Sequence, residues 1–172
     1  MKFYLNKYLS LFSFLIIPFL IVWNPPWLSL MGFQAYWPIF WLVPWSLIHG
    51  SFNAMLTGFL LGFILDTVNA DLYTQIPGLM ICGFWFGKVG NLNQFKNTPL
   101  QFGLIAAIGS LICGLIYFAQ MVVHLLWTNS HLWLFSYGVQ NIFAQVLLTG
   151  LLAPVFCKWL YSLFSKKYKS KI

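Results

Sequence analysis

The chain has 172 residues, of which 60% are hydrophobic and 6% charged, and its mean hydropathy is +0.81. A soluble domain has roughly 25% charged residues because its surface faces water, so this composition excludes an ordinary soluble domain and predicts a protein embedded in lipid. The formal net charge of +7 reflects lysines that lie in three short stretches of the chain, and there is no arginine. Bidentate recognition of phosphate by a guanidinium group is therefore excluded, and nucleic acid is not an expected partner.

Six apolar segments follow one another along the chain. Crossing a bilayer takes about 20 apolar residues, with roughly 17 as the lower end. The first segment runs into Asn24-Pro25-Pro26 without a small-x-small cleavage site, so we interpret it as an uncleaved helix. The predicted helices cover residues 8–23, 34–48, 52–68, 76–89, 100–127 and 137–164, with a lysine-rich tail at 165–172. The predicted fold is all-α, a single transmembrane domain (1–172) built as a polytopic bundle of about six helices.

The positions of the charges predict how this bundle is oriented. With the N-terminus inside, the nine lysines fall in three places on the inner side: the N-terminal stretch, the end of the fourth helix with the loop after it, and the final part of the chain from Lys158 onward. The two acids, Asp66 and Asp71, fall at the outer end of the third helix. Because lysine-rich loops stay on the cytoplasmic side of a membrane, both termini are predicted to be cytoplasmic.

Two GxxxG patterns lie on consecutive predicted helices, Gly58 with Gly62 on the third and Gly83 with Gly87 on the fourth. A spacing of four places each pair on one helix face, and small residues allow close packing of helices in lipid. These pairs are called the two glycine stripes below. The sequence leaves two alternatives open, because the helices could pack within this bundle or the stripes could receive a partner's transmembrane helix.

Asp66 continues the first glycine stripe, four residues after Gly62. A carboxylate in a membrane segment is costly unless it is paired or near water, so it is a functional candidate. Two roles remain open: Asp66 caps and structures the outer loop, or it makes a contact that a partner needs. Proton relay is disfavoured, because it needs a second membrane acid or a buried basic residue.

Tryptophan recurs at every fourth position of the second predicted helix, at Trp37, Trp41 and Trp45, and so forms one stripe. We expect this stripe to pack between helices or to contact interfacial lipid, with stacking on a ligand or partner as the alternative.

The tail carries Lys166, Lys167 and Lys169 just beyond the last apolar segment. These lysines are predicted to anchor the C-terminus to the lipid surface, with an acidic partner as the alternative.

The other candidate groups predict no catalytic or metal site. Cys82, Cys113 and Cys157 lie in separate apolar stretches without a CxxC pair, as small buried packing residues do. His124 and His131 are too few ligands for a metal, so no metal or cofactor is expected. There is no HExxH, GxSxG or Walker motif, and with two acids we expect no enzymatic activity. Uncharged polar residues near the last two helices are expected to hydrogen-bond between helices, with a ligand lining as the minority alternative: Gln120, Gln140, Asn141 and Gln145.

The third and fourth segments resemble the signature of the MreD family, the polytopic rod shape-determining proteins of bacteria. That signature is a glycine- and leucine-rich third helix ending in aspartate, here 58–66, followed by a short loop with Leu72 and a glycine-containing helix, here 83–87. The last segment, with its leucine pairs and Pro154, is similar to the family's leucine-rich last helix. The layout agrees over most of the chain.

The resemblance implies a non-enzymatic scaffold in the bacterial plasma (inner) membrane that helps to maintain rod shape and to direct lateral peptidoglycan synthesis. Its implied partners are a single-span protein of the MreC type and, directly or indirectly, MreB and a peptidoglycan synthase–transpeptidase pair. The family's fold also looks like the substrate-binding subunit of energy-coupling-factor transporters, so a vitamin-type transport subunit is the alternative function. In those subunits the first helix carries an AxxxA face, whereas residues 8–23 contain no alanine, which favours the scaffold.

Overall fold

A computed structural model of the chain describes residues 29–30, 33–69, 73–90, 98–128 and 133–169. Two two-residue strands, β1 Ser29–Leu30 and β2 Phe33–Gln34, pair antiparallel. Almost all the other described residues lie in helices: α1 Trp37–His49, α2 Ser51–Asn69, α3 Ile76–Gly90, α4 Pro99–Thr128 and α5 Trp133–Lys169. Apart from this short strand pair, the predicted all-helical class is confirmed for the described residues, and the helix predicted at 8–23 lies outside them.

The start and end of α1 follow from residues that limit the backbone. Phe33–Gln34 pairs with β1, so α1 begins at Trp37 rather than at the predicted residue 34, and Pro38 lies in its first turn, where a missing N–H costs little. After His49, Gly50 adopts a φ of +82°, in the left-handed region that glycine enters without steric cost. The resulting tight turn allows α2 to begin at Ser51.

Two antiparallel hairpins make up the bundle, one of α2 with α3 and one of α4 with α5, and α1 packs against α3 and α5. The middle of α1 is completely buried at Ile39, Leu42 and Val43. α1 therefore forms part of the protein's core, while the outer sides of the hairpins carry the exposed apolar side chains that a lipid environment favours.

Three of the five helices contain stretches long and apolar enough to cross a membrane: Ser51–Val68, Pro99–Trp127 and Gly138–Phe164. Ile76–Gly90 is apolar but shorter. The last helix is longer than the predicted 137–164, because it begins at Trp133 and continues through the tail to Lys169. The structure thus indicates a membrane protein with three candidate spanning helices among the described residues, while six spans and the orientation of the termini stay predictions.

The described bundle has two chemically different ends. At one end the turn at Gly50 lies near Gly87, Lys88 follows on α3, and the Trp45 ring contacts Phe164, 5.7 Å away between centroids. We call this the lysine end. At the other, the acidic end, Asp66 lies near the start of α3.

The helices differ in length, and the difference appears at the acidic end. Tyr36, just before α1, contacts Thr149 of α5. The part of α5 that precedes Thr149 is about 24 Å long at 1.5 Å per residue. α4 is about 45 Å long and α3 about 22 Å, again at 1.5 Å per residue. The α4–α5 hairpin therefore continues well beyond the start of α1.

Candidate functional site

Asp66 lies in the last turn of α2 and reaches across the loop to the start of α3. Its half-buried carboxylate accepts a hydrogen bond from the main-chain N–H of Gln75, with a 2.8 Å distance between Oδ1 and N. Gln75 directly precedes α3, and its carbonyl accepts the helical bond from the N–H of Leu79. Asp66 therefore fixes the point where α3 begins, which is the loop-structuring role among the alternatives that the sequence left open.

The same glutamine connects this loop to the other helices. The Tyr36 hydroxyl donates to Gln75 Oε1 at 2.9 Å, and the Tyr36 main-chain N–H donates to the Thr149 hydroxyl oxygen at 3.0 Å. Thr149 is fully buried in α5. Hydrogen bonds thus link the end of α2 to the start of α3, the start of α1 and the middle of α5. This set of four residues, Asp66, Gln75, Tyr36 and Thr149, is called the polar network below.

A second polar contact holds the loop against α4. Gln120 donates from Nε2 to the Thr74 carbonyl at 3.0 Å and accepts from the Thr74 N–H at Oε1 at 2.9 Å. The neighbouring Tyr73 ring packs edge-on against Tyr117 and His124. Gln120 was expected to hydrogen-bond between helices, and it bonds to the loop between α2 and α3 instead. The loop is thus attached on both sides, to Asp66 and to α4.

The two glycine stripes face each other across the α2–α3 hairpin. A Cβ atom added to Gly58 would collide with the main chain of Leu79, and one added to Gly62 would lie 2.6 Å from the Ile76 Cα. Added Cβ atoms at Gly83 and Gly87 would likewise collide with the main chain of Ala54 and Ser51. Real Cβ atoms do not approach backbone this closely, so these positions require glycine. Of the two alternatives from the sequence, packing within the bundle is the arrangement observed.

The tryptophan stripe of α1 lies between α1 and α5. Trp37 and Trp41 are 7% and 4% exposed, and the Trp37 ring packs edge-on against Phe156 while the Trp41 and Trp45 rings pack against Phe164. Trp41 and Trp45 also stack on each other at 5.0 Å between centroids. The interfacial, lipid-anchoring role predicted for this stripe does not fit Trp37 and Trp41, because α5 covers them. These two tryptophans pack between helices, which was the other role expected for the stripe.

Two of the three cysteines meet although they are far apart in sequence. Cys82 on α3 and Cys113 on α4 are both buried, with 3.4 Å between their Sγ atoms, and Cys82 also donates to the Gly109 carbonyl. Cys157 is buried separately and donates to the Phe40 carbonyl at 3.5 Å. All three are buried packing residues, as expected. Across the described ranges, no group of three or more histidine, cysteine and acidic side chains is arranged to hold a metal.

The structure does not describe the side chains of some predicted site residues. Lys166, Lys167 and Lys169 lie on the last turns of α5, and only their main chain is described. Asp71 and His131 lie outside the described residues altogether.

Sequence reasoning missed three of the four members of the polar network, namely Tyr36, Gln75 and Thr149. Tyr36 follows Ala35, Gln75 follows Thr74 and Thr149 follows Leu148, and none of the three belongs to a recognisable motif, so the sequence around them carried no signal of a shared site. Asp66 was found because a carboxylate in such a segment is rare.

Comparison with known proteins adds no relative to this description. Searches against protein-family models, curated proteins and solved structures find no match.

Proposed function

We propose that this protein is a non-enzymatic membrane scaffold of the MreD type in the bacterial cell-elongation machinery, helping to maintain rod shape and direct lateral peptidoglycan synthesis. The arrangement of the residues that carry the family resemblance supports the proposal most. The four glycines close the α2–α3 hairpin, and Asp66 fixes the loop between its helices. These residues therefore serve one structural unit. A closely packed hairpin of this kind can present a fixed surface to another membrane protein.

The proposed partner is a single-span protein of the MreC type, with MreB and a peptidoglycan synthase–transpeptidase pair bound directly or through it. Such a partner is not expected to bind at the glycine stripes, because the main chains of α2 and α3 already occupy them. Its contact with this chain therefore belongs to another surface of the bundle.

The proposed location is the plasma (inner) membrane, as a multi-pass protein with both termini in the cytoplasm. The separation of charges along the bundle supports this orientation. Lys88 and the lysine-rich end of α5 share one end of the bundle, and Asp66 lies at the opposite end. Lysines next to membrane spans favour the cytoplasmic side.

The alternative, a substrate-binding transport subunit, needs polar groups that are available to a ligand. In the polar network, Tyr36 and Gln75 are hydrogen-bonded to each other, and Thr149 accepts from the Tyr36 main chain. Polar side chains that satisfy one another stabilise a packed interior, and this use of them supports the scaffold over the transporter.

The test is purification of the tagged full-length chain from its native membranes in a mild detergent, with the recovered proteins identified by mass spectrometry. We expect a single-span protein with a large periplasmic part, and we expect depletion of the chain to turn rod-shaped cells round. Recovery of an ATPase module instead, with cell shape unchanged after depletion, would reject the scaffold and favour the transporter.

A further inference from the structure

An open groove of about 480 Å³ lies between the start of α4 and the second half of α5. It is near the lysine end, because Phe102, in the first turn of α4, packs against Tyr161 of α5. Its wall is almost entirely apolar, so the two polar residues that line it, Lys158 and Ser162, do so mainly with their carbon atoms; the lining residues are Pro99, Pro154, Val155, Lys158, Trp159 and Ser162. The groove thus lies on the outer side of the α4–α5 hairpin.

The rim of the groove carries a positive charge, that of Lys158, which no acid in the described bundle balances. Lys158 is exposed, and five of the nine lysines fall within residues 158–172. The chain has only two acids, of which Asp66 lies at the opposite end of the bundle and Asp71 lies five residues further along the sequence. A ligand that complements this groove is therefore anionic.

The α4 helix adds to the same field. Pro99 is the first residue of a 30-residue helix, and the N-terminus of a helix carries a partial positive charge. Lys158 and the start of α4 therefore both favour a negative group at the rim of the groove, and Lys158 supplies the full charge.

The apolar wall indicates what the anionic group is attached to. Val155 and Trp159 are 69% and 63% exposed, and both lie within the Gly138–Phe164 stretch that is apolar enough to span a membrane. Exposed side chains of such a stretch face lipid, and tryptophan beside lysine is typical of the headgroup region. An anionic headgroup with an apolar extension along this wall matches the chemistry of an anionic phospholipid.

We propose that this groove is a binding site for an anionic phospholipid, with an acyl chain in the groove along Trp159 and Val155 and the phosphate at its rim, beside Lys158 and Ser162. Lysines next to transmembrane helices attract acidic lipid headgroups in the same way. The site depends on the protein lying in a membrane and is independent of its proposed role in cell elongation.

The experiment is native mass spectrometry of the purified full-length chain with phosphatidylglycerol or phosphatidylcholine of identical acyl chains. The wild type should retain phosphatidylglycerol in preference to phosphatidylcholine. Lys158→Ala should reduce phosphatidylglycerol binding about fivefold, the effect of one lysine at a membrane surface, and Lys158→Arg should preserve it. Lys88→Ala is the matched control, because Lys88 is also exposed at the lysine end but lies on α3, outside the groove.

Equal retention of the two lipids by the wild type, or an unchanged preference in Lys158→Ala, would overturn the site. Lys158 is exposed, so its replacement should leave the fold intact, and an unchanged thermal unfolding midpoint checks this. A photoactivatable phosphatidylglycerol should also label the peptide around Trp159. If that peptide is instead protected from label in the wild type, a protein segment occupies the groove and the proposal fails.

Discussion

The carboxylate of Asp66 accepts the main-chain N–H of Gln75 at 2.8 Å, joining the end of one helix to the start of the next. The donor is a backbone group, so the bond depends on the side chain at position 66 and hardly at all on the identity of residue 75. This relationship predicts that different substitutions of Asp66 have different effects.

Asp66→Asn should keep the loop in place, because the amide oxygen can accept the same N–H, at a loss of about 1 kcal/mol for the missing charge. Asp66→Lys should lower yield and thermal stability in detergent strongly, because it offers no acceptor. Thr67→Ala is the matched control, because the Thr67 hydroxyl bonds only within its own helix turn, to the Ile64 carbonyl.

If Asp66→Asn keeps the stability but loses a co-purified partner, Asp66 also contacts that partner in its ionised form. Wild-type behaviour of Asp66→Lys would contradict both roles.

Gly58→Ala should destabilise the protein by about 3 kcal/mol, because its Cβ would meet the Leu79 main chain, which cannot move without separating α2 from α3. Gly114→Ala should cost about 1 kcal/mol or less, because its Cβ would lie 3.2 Å from the Ile142 side chain, which can adjust. The unfolding midpoint of each variant in detergent makes the comparison. Wild-type stability of Gly58→Ala, with loss of a partner alone, would instead place a second protein at this stripe.

Tyr36→Phe should cost roughly 1–3 kcal/mol, because it leaves the Gln75 side-chain oxygen without its donor in a half-buried position. Gln75→Met removes the other half of the bond, so a double-mutant cycle of the two changes should give a coupling of about 1 kcal/mol. Tyr73→Phe is the control, because it retains the ring contacts with Tyr117 and His124. If the effects of Tyr36→Phe and Gln75→Met on the free energy of unfolding simply add, the hydrogen bond between these side chains does not stabilise the protein.

Cys82 and Cys113 should be joined by a membrane-permeant oxidant such as diamide, because their Sγ atoms are 3.4 Å apart. Each thiol gives up one hydrogen, a disulfide forms and the diamide is reduced to the hydrazine. Peptide mapping should find a link between α3 and α4, with Cys157 still alkylatable after unfolding. Cys82→Ser should abolish the link. A link from Cys113 to Cys157 in the wild type would contradict the packing of α3 on α4.

Periplasm-dependent reporter fusions test the orientation. Alkaline phosphatase should be inactive when fused after Asn93 or Ile172 and active near Ser130, because lysine-rich segments remain in the cytoplasm. Activity after Ile172 would exclude cytoplasmic termini connected by six spans.

The sequence predicted the individual helices well where an apolar segment ended at a strong signal. The segments predicted at 52–68 and 76–89 correspond closely to α2 and α3, because Gly50 and Pro77 mark helix boundaries locally. The last helix is longer than predicted, because apolar character ends near Phe164 while lysine continues a helix readily.

The contacts between helices could be predicted only in part. Spacing of four identified the faces of both glycine stripes, but only the three-dimensional structure brings Gly58 to Leu79 and Gly83 to Ala54. In the same way, nothing local to Tyr36 or Thr149 indicates that a backbone N–H meets a hydroxyl 113 residues away. Pairing across the bundle depends on how whole helices pack, which composition and periodicity do not determine.

The unequal helix lengths have a consequence for the surrounding bilayer. α4 is about 45 Å of continuous apolar helix, whereas the hydrocarbon core of a bilayer is about 30 Å thick. The α2–α3 hairpin is close to or below that thickness. The apolar length therefore exceeds the bilayer thickness on the α4–α5 side of the protein and matches it or falls short on the α2–α3 side. Each ångström of this hydrophobic mismatch costs a fraction of a kcal/mol. We expect the protein to tilt, and to accumulate where neighbouring proteins or lipids already create a gradient in membrane thickness.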